Sequence, residues 1–244
     1  MLWFHVRQFA RVGYFVELMV VSTVSSVLIQ GLAYGFAGGL PSQVWLRSAE
    51  IGMWTTCTAS AGMIGFQRFQ GTLAPLLVGQ QPPARSLSAV VTAASTFGLV
   101  SFPLSAVVVA LLGGTVDVNL TTIIGAVLVW LGAAAVSLVV AAVFVLTPNA
   151  ITYEVLLLVP VLFVSGMFGY PSGLPSWAAG AFLVVPLTSG VRFLASGAGA
   201  SVMLPLWAVA LVGFACSVAW IGCARYLLHL CLRRARLDGS LEVL

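Results

Sequence analysis

Cys57, Cys216, Cys223 and Cys231 are the only thiols in this chain, and no two of them stand in a CxxC pair. Zinc ribbons and dithiol redox centres need that spacing, so the four read as small buried hydrophobes within apolar stretches. His5 and His229 lie near opposite ends with no metal-ligand spacing. All ten basic residues are arginine. A phosphate-binding loop of the form GxxxxGK(S/T) needs a lysine to reach the β- and γ-phosphates. Any ATP that powers this protein must therefore be hydrolysed by another polypeptide. No Ser/His/Asp or paired-carboxylate constellation suggests covalent chemistry, and the chain is expected neither to be an enzyme nor to hold a cofactor or metal of its own. The remaining ionisable candidates are Glu17, Glu154, and the pair Arg47 and Glu50, which stand three apart and so are neighbours on a helix. No string of acids and histidines forms a proton relay.

The elements that must position these residues are apolar helices. Hydrophobic residues make up 61% of the 244 and charged residues 7%, with a mean hydropathy of +1.12. A soluble domain carries roughly 25% charged residues, so a water-soluble surface is out of reach. The expected fold is an all-α membrane protein, one domain over 1–244. Its six transmembrane helices are expected at 17–37, 44–66, 87–112, 120–146, 152–168 and 203–228, lengths that suit a bilayer. Pro103 predicts a kink inside the third. Residues 1–15 form an amphipathic interface helix: Leu2, Trp3, Val6, Phe9, Ala10 and Gly13 share one arc opposite Arg7, Gln8 and Arg11, with Phe4 breaking the pattern. Glu17 interrupts the apolar run and no cleavage site follows it, which argues against a signal peptide. After the fifth span comes the Pro/Gly-rich stretch YPSGLPSW, then two apolar pieces, Ala178–Val185 and Leu187–Ala195, split by Pro186. Neither reaches the ~20 residues of a span. A re-entrant or surface-lying helical hairpin over 171–195 is the expectation.

Arginine sets the orientation. With the N-terminus inside, Arg7, Arg11, Arg68, Arg85, Arg225, Arg233, Arg234 and Arg236 share one side against Arg47 and Arg192 on the other. Both termini are expected in the cytoplasm and the hairpin outside. The net charge of +4 then reads as topology and contact with anionic lipid, not as nucleic-acid binding. In this topology Glu17 lies near the inner end of the first span, with an arginine as its expected partner. Arg47 and Glu50 satisfy one another at the outer boundary. Glu154 falls in the first turn of the fifth span, where the helix dipole favours a carboxylate.

Two polar stripes run along the first two spans. Ser22, Ser26 and Gln30 recur every four residues on the first, and Thr55, Thr58 and Gly62 do likewise on the second. Such stripes join helices by hydrogen bonds or line a substrate path, and Ser22, Ser26, Gln30, Thr55 and Thr58 are the candidates for that path. Gly31-xxx-Gly35 is expected to pack helices closely. Between the second and third spans lies a polar loop, 67–86, which contains Arg68, Arg85 and the Pro82-Pro83 pair but no acid. A helix held between Gly71 and those prolines presents Leu73, Leu76 and Leu77 as an apolar knob. The bilayer surface or a docked partner must cover it.

The core of this loop, Gly71-Thr72-Leu73-Ala74-Pro75-Leu76-Leu77-Val78, resembles the coupling segment of ABC type-2 exporter permeases, where GTLE and then LL precede a proline near the next span. Far downstream, Phe163-Val164-Ser165-Gly166-Met167-Phe168 is followed by Pro171, Leu174-Pro175-Ser176-Trp177 and Val185-Pro186-Leu187-Thr188-Ser189-Gly190-Val191-Arg192. This is similar to the family's P…LP.W…NPLT…R extracellular hairpin before the final helix. In order and spacing the two signatures, with the six-span layout, cover nearly the whole chain. The departures are Gln67, Gln70 and Ala74 where the family usually has acids, and Val185 where it has asparagine. They remove a charge-mediated grip on an ATPase and leave homodimer and heterodimer equally open.

The resemblance implies a permease subunit of a bacterial cell membrane, paired with a second permease subunit. An ATP-binding cassette subunit, holding ATP and magnesium, would dock through Arg68, Gly71, Thr72, Leu73, Leu76 and Leu77. Pro171, Pro175, Trp177, Pro186 and Arg192 would shape the hairpin. The cargo would be a hydrophobic or amphiphilic small molecule, such as a drug, antibiotic or lipid. Two other classes predict different features. A secondary carrier or channel usually shows matched broken helices in internal repeats, and this chain has one broken region. A membrane-embedded enzyme needs clustered polar groups at one membrane face, and a non-transporting immunity subunit would move no cargo.

Overall fold

The computed structural model describes residues 2–35, 39–69, 83–145, 147, 150–170, 175–199 and 204–237, all of them in helices or the turns between helices. Four stretches are long and apolar enough to cross a membrane: Gly13–Tyr34, Arg85–Leu111, Leu120–Phe144 and Leu206–Cys231. The protein is all-α and built for a lipid environment.

Helix α1 (Leu2–Arg11) meets α2 (Gly13–Tyr34) at Val12, whose extended backbone (φ −87°, ψ 108°) makes a sharp corner. The corner folds Phe15 back onto Phe9, with ring centroids 4.6 Å apart, and Phe97 stacks on Phe9 from the other side at 6.4 Å. Phe9 is the one buried residue of α1; Trp3, Phe4, Arg7, Gln8 and Arg11 are exposed. The first long helix thus begins at Gly13, four residues before the expected boundary, and Glu17 lies exposed on it. Gly35, at φ 73°, terminates α2 instead of packing against a neighbour.

Helix α3 (Gln43–Phe69) is the axis of the bundle, and its residues from Val44 to Ala61 are almost all buried. It is not among the four apolar stretches. It carries Arg47, Ser48, Glu50, Thr55, Thr56, Thr58 and Ser60, groups that a lipid-facing helix could not hold without partners. Its neighbours are α2, α4 (Pro83–Gly98), α5 (Ser101–Leu111), α6 (Leu120–Phe144) and α7 (Ala150–Ser165).

The expected third span is two helices. The break falls at Leu99–Val100, and Pro103 sits in the first turn of α5, where its missing N–H leaves no helical bond unmade. Gly98, at the break, rests on the α3 backbone: a Cβ there would meet the Met53 carbonyl oxygen at 3.2 Å. At the start of α6, Asn119 accepts from the Thr122 amide at 2.8 Å and closes a capping box. Helix α7 starts at Ala150, so Glu154 falls in its second turn, beyond the first-turn reach of the dipole that was expected to stabilise it.

Among the described residues three further helices follow: α8 (Ser176–Phe182), α9 (Pro186–Gly197) and α10 (Leu206–Leu237). Helix α9 runs antiparallel to α6 along a seam of glycines. Cβ atoms built on Gly125 and Gly132 would meet Leu194 and the backbone of Pro186–Leu187, while on Gly190 and Gly197 they would meet Val129 and Thr121. Glycine at four facing positions lets the two backbones touch. The same pairs act as a ruler. Pro186 lies beside Gly132, which is 11 residues, or about 17 Å, along α6 from Thr121.

Candidate functional site

The turn that joins α8 to α9 ends at Val185, and its backbone needs partners that a helix would have supplied. They come from α10. The Val184 carbonyl accepts from Trp220 Nε1 at 2.9 Å and from Cys216 Sγ at 2.8 Å. Cys216 and Trp220 stand 10 and 14 residues into α10, about 15–21 Å from its start. Two independent helices therefore measure the same thing: the turn lies deep alongside α6 and α10, far from their N-terminal ends. Pro186 opens α9 at its first position, where a proline is tolerated. Of the residues expected to shape this segment, Pro186 is buried, Arg192 is half-buried, and Pro175 and Trp177 are exposed. Pro171 lies outside the described residues.

A polar cluster joins α3 to the loop before α8. Glu50 is 1% exposed, and its Oε2 has no hydrogen-bond partner. Arg47, one turn earlier on the helix, acts on it electrostatically; its Nη1 donates to Tyr34 Oη at 3.4 Å. The guanidinium also rests against Gly169, at φ 85°, where a Cβ would be 3.2 Å from Arg47 Nη2. Next in the chain, Tyr170 donates to the Val164 carbonyl at 2.9 Å, and its ring lies over Gly166. The Arg192 guanidinium sits 5.3 Å from the centre of that ring, within cation–π range. Burial pushes the Tyr170 phenol above its ordinary value; hydrogen bonding and charge from Arg192 pull against this, as does Thr188, while Glu50 adds to it. Arg47 and Arg192, the two arginines on the minority side of the charge count, thus belong to one half-buried cluster, with the buried Glu50 close by.

One member of the polar stripes, Gln30, hydrogen-bonds across to another helix. Gln30 Nε2 donates to Ser26 Oγ and, across the interface, to Ser48 Oγ on α3, both at 3.0 Å. Ser22 turns back to the Met19 carbonyl at 3.1 Å. Thr55 and Thr58 donate to carbonyls of their own helix. The Gln30 Oε1, Thr23 Oγ1 and Trp45 Nε1 atoms stay buried without partners, so Gln30 and Thr23 leave unused hydrogen-bonding capacity on α2. Ser101 and Ser105 were not singled out from the sequence. They cross-link α5 to α3 by donating to the Ala49 and Trp45 carbonyls, both at 2.7 Å. Their spacing of four was the available signal. Cys216 and Trp220 share that spacing, but nothing local announces a carbonyl for them to satisfy.

Arg68 lies one residue from the end of α3. Gly71, Thr72, Leu73, Leu76 and Leu77 lie outside the described residues. Among the described residues no three His, Cys, Asp or Glu side chains come together as a metal site, and the cysteines are free thiols.

Fold and site define a helical membrane protein in which a broken helical pair is held against α6 and α10. No model of a known protein family matches the chain. Neither a curated protein nor a solved structure matches it.

Proposed function

We propose that this chain is the membrane-spanning subunit of an ATP-driven exporter of the ABC type-2 kind, with α2, α3, α4–α5, α6, α7 and α10 as its six spans. Helix α1 lies in the cytoplasmic interface, both termini are cytoplasmic, and α8–α9 form a re-entrant hairpin entering from the outside of a bacterial cell membrane. The observation that carries this reading is the depth of the Val184–Pro186 turn. About 17 Å along α6 is near the middle of a hydrocarbon core ~30 Å thick. Irregular backbone at that depth is tolerated only where protein satisfies it, as Trp220 and Cys216 do here. A short broken pair just before the last helix is the layout that the hairpin resemblance implies.

The subunit does no covalent chemistry. A partner subunit binds ATP and magnesium, and closure of two such partners moves the 67–86 segments of two permease subunits. The path for a hydrophobic or amphiphilic small molecule opens on the outer side, where the Arg47–Glu50–Tyr170–Arg192 cluster ties the hairpin to α3. The test is affinity purification of the natively expressed protein. A stoichiometric ATPase should accompany it, and Leu76→Arg should abolish the association. Reproducible absence of an ATPase, or a complex indifferent to Leu76→Arg, refutes the reading.

A further inference from the structure

Helix α10 is the least enclosed of the four long apolar stretches: only 17% of its apolar window is buried. Its exposed face changes character along its length. Trp207, Leu211, Phe214 and Val218 are exposed at the start; Arg225, His229, Arg233 and Arg234 are exposed further on. At 100° per residue all of these but Arg234 fall within an arc of roughly 100°, and Arg234 stands near the opposite side of the helix. One continuous stripe is thus apolar for its first part and cationic for its last. No acid occurs anywhere in α10, and Arg225, His229 and Arg233 make no hydrogen bond or ion pair with another described residue.

The dimensions fit a bilayer. Trp207 to Arg225 is 18 residues, about 27 Å, against a hydrocarbon core of ~30 Å. A second measurement agrees. Leu228 and Cys231 pack with Leu87 and Val91, and six residues on along α4 the Ala93, Ala94 and Phe97 side chains pack with Phe9 and Phe15. Helices α4 and α10 run in opposite directions, so Arg225 lies within about one turn of the level of α1, the amphipathic helix. Helical side chains tilt toward the N-terminus, which for α10 is toward the bilayer. Arg233 can therefore reach back to the headgroup region along its alkyl stem.

We propose that this stripe binds an anionic phospholipid of the leaflet next to α1, its acyl chains along Leu211, Phe214 and Val218 and its phosphate among Arg225, His229 and Arg233. The inference is independent of the exporter reading, because it needs no ATPase and no cargo. The ligand is a phospholipid, since a free phosphate leaves the apolar half of the stripe unused.

The test is native mass spectrometry of the purified full chain incubated with phosphatidylglycerol and phosphatidylcholine of matched acyl chains. The wild type should retain phosphatidylglycerol preferentially, and 0.5 M salt should erase the preference. Each arginine near an anionic headgroup contributes roughly fivefold, so R225Q/R233Q should lose the preference by more than about tenfold. The charge-conserving variant R225K/R233K should keep most of it. Glycerol phosphate, which has no acyl chains, should not compete. Equal binding of the two lipids by the wild type overturns the proposal, as does a preference that survives either the glutamine variant or high salt. Competition by glycerol phosphate overturns the acyl-chain half. Efficient disulfide cross-linking of Phe214→Cys between copies, absent from the wild type, would show that a second copy covers the stripe, and overturns it too.

Discussion

Replacing Gly132 by alanine puts one methyl group into the α6–α9 seam, 2.8 Å from the Leu187 amide nitrogen and 2.9 Å from the Pro186 carbonyl carbon. Both are backbone atoms, so no rotamer change relieves the contact. The seam must open by about 0.5–1 Å, and dispersion contacts fall off over that distance. Overpacking of this kind costs about 1–3 kcal/mol. Against it stands the intrinsic gain of alanine over glycine in a helix, about 1 kcal/mol. The net expectation is a loss of up to about 2 kcal/mol, or up to about 8 °C in melting temperature for a chain of this size. Gly180, inside α8, is the control, because a Cβ there meets nothing within 4 Å. Gly180→Ala should stabilise by about 0.5–1 kcal/mol through the unfolded chain alone. The assay is thermal unfolding of the two variants and the wild type in one detergent. A Gly132→Ala protein more stable than the wild type by as much as Gly180→Ala would refute the backbone contact, and with it the depth assigned to the turn.

Gly166→Ala meets two obstacles, a φ of 81° and a Tyr170 ring carbon 2.6 Å from the new Cβ; it should lower stability by about 1–3 kcal/mol, read in the same melts. Trp220→Phe leaves Cys216 as the donor to the Val184 carbonyl, and Cys216→Ala leaves Trp220. Each should cost about 1 kcal/mol, and the double variant more than their sum, because only it orphans the carbonyl; additive losses would show that the two donors act independently. The raised Tyr170 value makes a signed prediction about pH. An unfolded tyrosine ionises near 10, and the folded one ionises higher, so its contribution is full below pH about 10 and is lost as pH rises toward the folded value. Tyr170→Phe should remove that alkaline component from the stability profile, and an unchanged profile would refute it.

Much of the fold is legible because lipid is a uniform solvent. A helix facing it must be apolar on every exposed side, so α2, α4–α5, α6 and α10 declare themselves by composition alone. Helix α3 is legible for a different reason. Its Arg47, Glu50 and threonines mark it as the helix that others must screen, although the sequence does not say which others. Boundaries were harder. The corner at Val12 exists because Phe15 folds back onto Phe9 while Phe97 stacks on Phe9 from the other side, and Phe97 is 88 residues away from Phe9 along the chain. The break at Leu99–Val100 depends on Gly98 meeting Met53, while Pro103, the local signal, lies a turn later. The candidate site was half legible. The short pieces around Pro186 indicated a hairpin, but its depth follows from glycines spread over two helices and from donors on a third. The Arg47–Glu50 spacing was read as a self-contained pair; Tyr170 and Arg192 join it only in three dimensions.

The Val184 carbonyl has a consequence for the order in which the chain is built. Its two donors, Cys216 and Trp220, are 32 and 36 residues downstream, on α10. At roughly 5–20 residues per second, ribosomes deliver Trp220 about 2–7 s after the turn itself. Throughout that interval the turn has no native partner for its carbonyl, so α8 and α9 must wait near the aqueous surface until α10 is threaded. If α8 and α9 re-enter the membrane as proposed, their insertion follows the threading of α10, and a nascent chain arrested before Cys216 should keep that turn accessible to water-soluble reagents.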